Sequence, residues 1–189
     1  MNGKIRDITI TAMGAALLCI LAPLSIPVGP VPVSLATLAV YFILYVLGMK
    51  RSVVAIVVYL LIGLAGVPVF SGFSAGVAKL IGPTGGYLLG YIPLALIAGA
   101  LIDRYYKNRL ISIAGMIAAT AVLYAIGTVW LAYAANMEAY AAIQAGVIPF
   151  VPFDLVKIVL AAAAGPVLRI RLEKTGLLSP AVSVEKVQG

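Results

Sequence analysis

The sequence of 189 residues contains no histidine and a single cysteine. Without histidine there is no imidazole to ligate zinc or to act as the base of a Ser-His-Asp or Cys-His set, and one cysteine cannot form an intramolecular disulfide. Charged residues are also scarce, at 10% against roughly 25% in soluble domains. These shortages argue against an enzyme, a metalloprotein and a disulfide scaffold, and we expect no catalytic residue, no metal and no cofactor.

Apolar residues, by contrast, are abundant. They make up 63% of the chain, against roughly 45–50% in a soluble domain, and the mean hydropathy is +1.15. A soluble protein of this composition would aggregate, and a disordered one would be far more polar. The net charge of +7 could suit nucleic acid, but the 13 Lys and Arg lie mostly in short islands between apolar runs. The composition therefore predicts an integral membrane protein, surrounded by lipid and without a nucleic-acid partner.

Several apolar runs are long enough to cross a bilayer, which takes about 20 residues per helix. The longest charge-free run, 8–49, has room for two helices, and four prolines within 22–32 interrupt it. The sequence predicts one all-α transmembrane domain over residues 1–189, with six helices and a cytoplasmic C-terminal tail. The predicted helices lie near 8–26, 33–48, 52–70, 83–102, 110–134 and 151–172, and the tail covers 179–189.

The basic islands predict how these helices are oriented. With six spans, all four islands fall on one side of the membrane. They are Lys4 and Arg6; Lys50 and Arg51; Arg104, Lys107 and Arg109; and Arg169, Arg171 and Lys174. Because basic loops stay in the cytoplasm, both termini are predicted to be cytoplasmic. The first apolar run shows no clear cleavage site, so we interpret it as a retained helix rather than a signal peptide.

Asp154 and Lys157 stand out because they are charges within the last predicted span. They are three residues apart and share one helix face, and each costs roughly 2.5–3.5 kcal/mol at the bilayer centre. One interpretation is a structural ion pair near the outer interface, with Asp154 capping the helix. The other is a polar anchor in a pocket open to the outside. There the carboxylate would accept N–H groups of a ligand and the ammonium would donate to its carbonyl.

A glycine-rich stretch at 82–90 (GPTGGYLLG) opens the fourth predicted helix. Gly86 and Gly90 form a GxxxG pair, which favours close helix packing. The glycines, Gly82 and Gly86 among them, could also let a ligand approach the backbone. No Gly-Lys-Ser/Thr follows, so the stretch is not a P-loop and the chain is not expected to hydrolyse ATP.

Aromatic residues and one lysine are further candidates for a pocket. A flat ring offers apolar area with a polar tip, although any single tyrosine could instead belong to the interfacial belt. The candidates are Tyr41, Tyr87, Tyr91 and Trp130. Lys79, in the predicted external loop, is either a solvated lysine or a contact for an acidic group of a ligand.

Ala12 and Ala16 lie one turn apart on the first predicted helix. Pairs of small residues at this spacing mark close helix contacts in membranes. The partner could be a helix of the same chain or of another subunit.

Four segments together resemble the BioY family, the biotin-binding S components of energy-coupling factor (ECF) transporters. They read PVPVSLATL, GLAGVPVF, GPTGGYLLG and PFVPFDLVK, and begin at residues 30, 63, 82 and 149. The resemblance extends from about residue 8 to 172, and the third segment together with the D-x-x-K element of the fourth is the most specific part. Ala36 stands where a glutamine is expected, which removes a polar contact. Phe153 stands where a glycine is common, which reshapes the rim of the pocket.

The resemblance implies a six-helix S-component fold in a bacterial or archaeal cytoplasmic membrane. It implies capture of biotin at the outer face and docking on an ECF module, in which a transmembrane T component joins two ATPases that hydrolyse ATP. Asp154 and Lys157 would bind the ureido ring, and Lys79 could meet the carboxylate. The implied apolar walls and close approaches are Val33, Gly82, Gly86, Tyr87 and Trp130, and the implied docking residues are Ala12 and Ala16.

Other functions compete with biotin capture. The chain could be an S component for another small vitamin, such as thiamin or riboflavin. It could also be a scaffold of helices without transport activity, although a scaffold gains nothing from charges within a span. A channel is a weaker alternative, because the charges lie near one face only.

Overall fold

The structure is a computed structural model that describes residues 3–174. The predicted tail at 179–189 lies outside the described residues. Within them, the chain forms eight helices and one short hairpin. In order these are α1 (Gly3–Leu21), β1 (Ser25–Ile26), β2 (Val33–Ser34), α2 (Ala36–Leu47), α3 (Met49–Leu64), α4 (Val77–Ile81), α5 (Gly85–Tyr105), α6 (Arg109–Ala134), α7 (Ala139–Gly146) and α8 (Phe150–Lys174).

The six predicted helices correspond to α1, α2, α3, α5, α6 and α8. Helices α2, α5, α6 and α8 begin and end within three residues of their predicted bounds. Helices α1 and α3 are shifted towards the N-terminus. Helix α1 begins at Gly3, because charged residues do not interrupt a helix, and it ends before Pro23. Helix α3 begins directly after Gly48, whose φ of 78° turns the chain sharply, and it ends at Leu64, before Pro68.

The prediction of an all-α fold overlooks the hairpin and two short helices. Strands β1 and β2 pair antiparallel, with Ser25 opposite Ser34 and Ile26 opposite Val33. The proline-rich segment between α1 and α2 is therefore a folded hairpin rather than a simple break between helices. Helices α4 and α7 occupy the connections α3–α5 and α6–α8, and their five and eight residues are too few to span a bilayer.

Among residues 3–174, three helices are long and apolar enough to cross a membrane, namely α5, α6 and α8, with mean hydropathies of 1.8, 2.1 and 1.8. Helix α2 is apolar but has only 12 residues, or about 18 Å of length. Nine of those residues are buried, so α2 lies in the centre of the bundle, packed against α1, α3, α5 and α8. The count of six spans stays a prediction.

Contacts between charged residues bring the basic islands to one end of the bundle. Arg51 lies 2.8 Å from Asp7, which joins the start of α3 to the start of α1. Arg169 lies 3.3 Å from Asp103, which joins the end of α8 to the end of α5, and Asp103 also accepts the backbone N–H of Met49 at 2.9 Å. We call the end of the bundle that holds Arg51, Asp103 and Arg169 the basic end. The hairpin, α4, α7 and the start of α8 form the opposite end, which we call the loop end.

Candidate functional site

A buried ion pair lies near the start of α8, at the loop end. The Nζ atom of Lys157 is 2.8 Å from Oδ1 of Asp154, and the two residues are 7% and 4% exposed. Because α8 begins at Phe150, Asp154 lies inside the helix, and the interpretation of this residue as a helix cap is wrong. The spacing of three residues places both side chains on the face that points into the bundle.

The Lys157 ammonium uses all three of its N–H donors within the protein. Besides Asp154, it donates to Oγ1 of Thr37 at 3.0 Å and to the backbone carbonyl of Ser34 in β2 at 2.7 Å. Helix α2 and the hairpin therefore both supply acceptors for the donors of the lysine. A ligand carbonyl can reach this ammonium only by replacing one of these acceptors.

The Asp154 carboxylate is held by two hydroxyl groups in addition to the lysine. Thr37 donates to Oδ1 at 3.0 Å, and Tyr124 on α6 donates to Oδ2 at 2.7 Å. Burial without such bonds would cost several kcal/mol for an ionised carboxylate. We call Thr37, Tyr124, Asp154 and Lys157 the polar network. It ties α2, α6 and α8 together.

Thr37 and Tyr124 were not among the candidate residues from the sequence. Thr37 lies in the segment PVPVSLATL, and Tyr124 is a tyrosine well inside the apolar run of α6. Polar side chains at depth in a span are expensive and find partners, so their position was the available signal. Which charge they would meet depended on how α2 and α6 pack against α8.

The polar network borders a small cavity of about 40 Å³, which we call the ion-pair cavity. Its other walls are aromatic and apolar, and they include Tyr87, Tyr91 and Phe150. A larger cavity of about 460 Å³ lies beneath the hairpin, and Lys157 borders it as well. Lys157 therefore borders both the small ion-pair cavity and the larger cavity under the hairpin.

Tyr87 lines the ion-pair cavity and is fixed there by a hydrogen bond and a ring contact. Tyr41 does not line this cavity. The Tyr87 hydroxyl donates to the carbonyl of Gly146 at 2.9 Å, and its ring stacks on Phe150 with centroids 6.3 Å apart. Tyr41 is fully buried, and its hydroxyl bonds to Thr120 on α6. The structure thus brings Tyr87 to the ion pair and places Tyr41 between α2 and α6.

Trp130, Gly82 and Gly86 form a packing contact at the start of α5. The indole N–H of Trp130 donates to the carbonyl of Gly82 at 3.0 Å, and a side chain at Gly86 would collide with the Trp130 ring. Gly90, four residues on, meets Leu123 on the same helix α6. These glycines let α5 approach α6 closely, which is the helix-packing interpretation of the GxxxG pair.

Val33 and Lys79 do not line the ion-pair cavity. Val33 is buried in β2 and lines the larger cavity, not the ion-pair cavity. Lys79 is half-buried on α4, and among the described residues its side chain makes no hydrogen bond or ion pair. Burial lowers the pKa of the Lys79 ammonium below its usual value.

The two departures from the family pattern border cavities. Ala36 is buried at the start of α2, where its backbone N–H bonds to the Ser34 hydroxyl at 3.2 Å. Phe153 is 45% exposed and lines the larger cavity under the hairpin.

Ala12 and Ala16 lie on an exposed face of α1, while their neighbours Gly14 and Ala15 pack inward. A side chain at Gly14 would meet Leu47 of α2, so the internal contact of α1 uses Gly14. The Ala12 and Ala16 face is open to lipid or to a partner.

The site offers complementary groups for a small neutral polar ligand. The Oδ1 atom of Asp154 already accepts two hydrogen bonds, whereas Oδ2 accepts one and keeps a lone pair available. A ligand N–H can bind there, while aromatic walls contact its apolar part. No cluster of His, Cys, Asp or Glu that could hold a metal ion occurs between residues 3 and 174.

Comparisons with known proteins agree on one family. The model described as the BioY family matches residues 1–174. The biotin transporter BioY2 of Lactococcus lactis subsp. cremoris is 38% identical, over 92% of this chain and 96% of the relative. The biotin transporter BioY of Thermotoga maritima is 37% identical, over 89% of this chain and 96% of the relative.

A solved structure shares the fold as well. It is the S-component for biotin from an ECF-type ABC transporter, and it superposes with a TM-score of 0.82 at 25% identity. The alignment covers 89% of this chain and 93% of that one.

Proposed function

The chain belongs to the BioY family, and on that premise we propose that it is the substrate-binding membrane subunit for biotin uptake. One observation carries the proposal: the polar network is buried, borders a cavity and combines a carboxylate with an ammonium. Two relatives of the chain, 38% and 37% identical to it, are named biotin transporters. The protein is a binding subunit rather than an enzyme.

The ureido ring of biotin matches the polar network. It presents two N–H donors and one carbonyl on a compact ring. We assign one ureido N–H to the free lone pair of Asp154 Oδ2, next to the Tyr124 hydroxyl. The ureido carbonyl takes a donor of Lys157 by replacing the carbonyl of Ser34, which is the acceptor supplied by the hairpin. Hydrogen bonds to charged groups stabilise a complex by about 1.5–3 kcal/mol each.

Binding requires more room than the ion-pair cavity provides. A cavity of about 40 Å³ accommodates only about one or two waters, whereas biotin has two fused rings and a tail. Pro32 and Ser34 of the hairpin segment wall this cavity, and the larger cavity lies directly beneath the hairpin. We therefore expect the hairpin to move outward as the ligand enters, which also frees the lysine donor that Ser34 occupies.

The position of the basic end predicts how the protein is oriented in the membrane. We propose six spans with both termini in the cytoplasm of a bacterium or archaeon, so that the basic end is inside and the loop end faces outward. Contacts between the islands support a common side, because Arg51, Asp103 and Arg169 lie at one end of the bundle.

We further propose that the exposed face of Ala12 and Ala16 docks on the T component of an ECF module, whose two ATPases drive uptake. Ala12→Trp combined with Ala16→Trp should abolish biotin uptake with the module and leave biotin binding intact. Loss of binding in the double variant would assign these alanines to the fold instead.

The test of the function is a binding measurement on the chain purified in detergent. Isothermal calorimetry with biotin, thiamin and riboflavin should show tight binding of biotin alone. Binding of thiamin or riboflavin without biotin would make the chain an S component for another vitamin. Binding of none of the three would favour a scaffold and contradict the proposal.

A further inference from the structure

A cavity of about 150 Å³ lies between α6 and α8, and all the residues that line it come from these two helices. We call it the α6–α8 crevice. Ile117 and Ala121 of α6 and Leu155 of α8 line it and are exposed. Ile158 and Asp154 also line it and are only 2% and 4% exposed. The crevice therefore opens at the lateral surface of the bundle and reaches the buried side of α8.

The surface around the crevice is apolar and belongs to membrane-spanning segments. Helices α6 and α8 are both long and apolar enough to cross a membrane. Residues 110–134 of α6 carry no charge, and the charges within residues 150–168 of α8 are Asp154 and Lys157, both buried. The crevice lies at the middle of α6, where a spanning helix is surrounded by acyl chains rather than by water or headgroups. Its mouth is therefore continuous with the lipid-facing surface of the two helices.

Water is a poor occupant of the crevice, because a buried water needs about 2–4 polar partners. The Thr120 hydroxyl already bonds to the carbonyl of Met116 at 2.7 Å and to the Tyr41 hydroxyl. The Tyr124 hydroxyl donates to Oδ2 of Asp154 at 2.7 Å. The side chains that line the crevice thus leave one free lone pair, on Asp154, which is too little to hold a water.

The end of an alkyl chain matches the crevice in size and in chemistry. A dry apolar cavity of about 150 Å³ holds a molecule of the size of benzene, which corresponds to about six carbon atoms of a chain. Unfilled space deprives the wall atoms of dispersion contacts, and a chain that enters restores them. The apolar mouth offers no charge that would favour a polar partner instead.

We propose that the α6–α8 crevice is a binding site for the end of a phospholipid acyl chain. The chain packs against Tyr124 and supports the side chain whose hydroxyl donates to Asp154. Tyr124 and Asp154 line the ion-pair cavity as well, so the lipid contacts two residues of the polar network. Lipid binding here is independent of which ligand the polar network binds.

The test is photolabelling of the full chain, without ligand, in phosphatidylcholine nanodiscs. A small fraction of the lipid carries a diazirine near the end of one acyl chain, and the labelled peptides are identified by mass spectrometry. Val129 of α6 and Val159 of α8 are the reference positions, because they are 72% and 60% exposed and do not line the crevice. We expect about tenfold more label within residues 117–124 and 151–158 than at these positions, which corresponds to a preference of about 1.4 kcal/mol.

A pair of alanine variants tests whether the crevice causes this enrichment. Ala121→Phe fills the crevice with a ring from its own wall. Ala125→Phe is the matched control, since Ala125 is exposed one turn further along α6 and does not line the crevice. Both substitutions add a ring at an exposed position, so both variants should elute as single species from a sizing column. Ala121→Phe should reduce the label to the level at Val129, and Ala125→Phe should leave the enrichment within twofold of the unaltered chain.

Three results would overturn the lipid site. Equal labelling of the crevice and the two reference valines would mean ordinary contact with the bilayer. Labelling of the crevice below the reference level would mean that protein, such as a second copy of the chain, covers it. Equal losses in Ala121→Phe and Ala125→Phe would mean that the enrichment does not come from the crevice. The first two results need only the unaltered chain, so the folding of a variant does not decide them.

Discussion

The two ends of α8 each hold a buried cation, but the two cations are held in different ways. Near the start, Lys157 and Asp154 are 9% and 6% exposed at the side chain and border cavities. Near the end, Arg169 is equally buried, but its partners Asp103 and Glu173 are 37% and 17% exposed. The first cluster faces the interior of the bundle, and the second faces its rim.

The chemistry of the two cations fits this difference. The planar guanidinium of Arg169 lies 4.5 Å from the centroid of the Tyr106 ring and also forms ion pairs with Asp103 and Glu173. One side chain therefore contacts three residues at once. The ammonium of Lys157 is a compact charge whose three donors can rotate and exchange acceptors. We infer that the arginine cluster holds helices together and that the lysine cluster binds ligand. Substitutions at matched positions can separate these roles.

The largest effect is expected at the lysine cluster. Asp154→Asn keeps the shape but places donors opposite the ligand N–H, and Lys157→Met removes the charge at similar length. Each should weaken biotin binding at least about a hundredfold, corresponding to about 2.7 kcal/mol, in calorimetric titrations. Both variants should still elute as single species from a sizing column. If both bound biotin within about threefold of the parent, the pair would be structural and the site wrongly assigned.

Tyr124→Phe should have an intermediate effect. It removes the hydroxyl that donates to Asp154 Oδ2 at 2.7 Å, and the carboxylate keeps Thr37 and Lys157. We expect about tenfold weaker biotin binding, because the acceptor for the ligand N–H loses the group that orients it. Tyr133→Phe, at a highly exposed tyrosine of the same helix, is the control and should be silent. A hundredfold loss in Tyr124→Phe would mean that the hydroxyl itself contacts the ligand.

Arg169→Met is the counterpart of Lys157→Met on the same helix and should leave binding within twofold. It removes two ion pairs with partly exposed carboxylates. Because water screens these pairs, each contributes about 1 kcal/mol or less to the free energy of unfolding. The expected result is a thermal transition a few degrees lower in detergent with unchanged calorimetry. A loss of affinity as large as that of Lys157→Met would show that the two clusters act as one unit.

The smallest perturbation tests which end faces outward. In a Cys19→Ser background, Ser74→Cys at the loop end should react in intact cells with a membrane-impermeant thiol reagent. Lys50→Cys and Asn108→Cys at the basic end should not react until the cells are opened. Reaction at position 108 in intact cells would show that the basic end faces outward, which contradicts the proposed orientation.

Much of the fold was predictable because the bilayer imposes long apolar helices. The positions of α2, α5, α6 and α8 followed from hydropathy and prolines to within three residues. The starts of α1 and α3 precede the predicted ones because backbone hydrogen bonds continue through charged residues such as Lys4 and Arg51. The hairpin was missed because strands of two residues leave no periodic pattern.

The sequence by itself determined the membrane class, the family and the presence of Asp154 and Lys157 on one helix face, because composition, motif order and i,i+3 spacing are local properties. Only the tertiary structure decided what surrounds that pair. Thr37, Tyr124 and the carbonyl of Ser34 come from three other elements, more than 25 residues away from the pair along the chain. It also showed that Trp130 of α6 and Gly86 of α5 lie against each other. The reason is physical: a buried charge must find partners, but helix packing chooses which side chains can reach it.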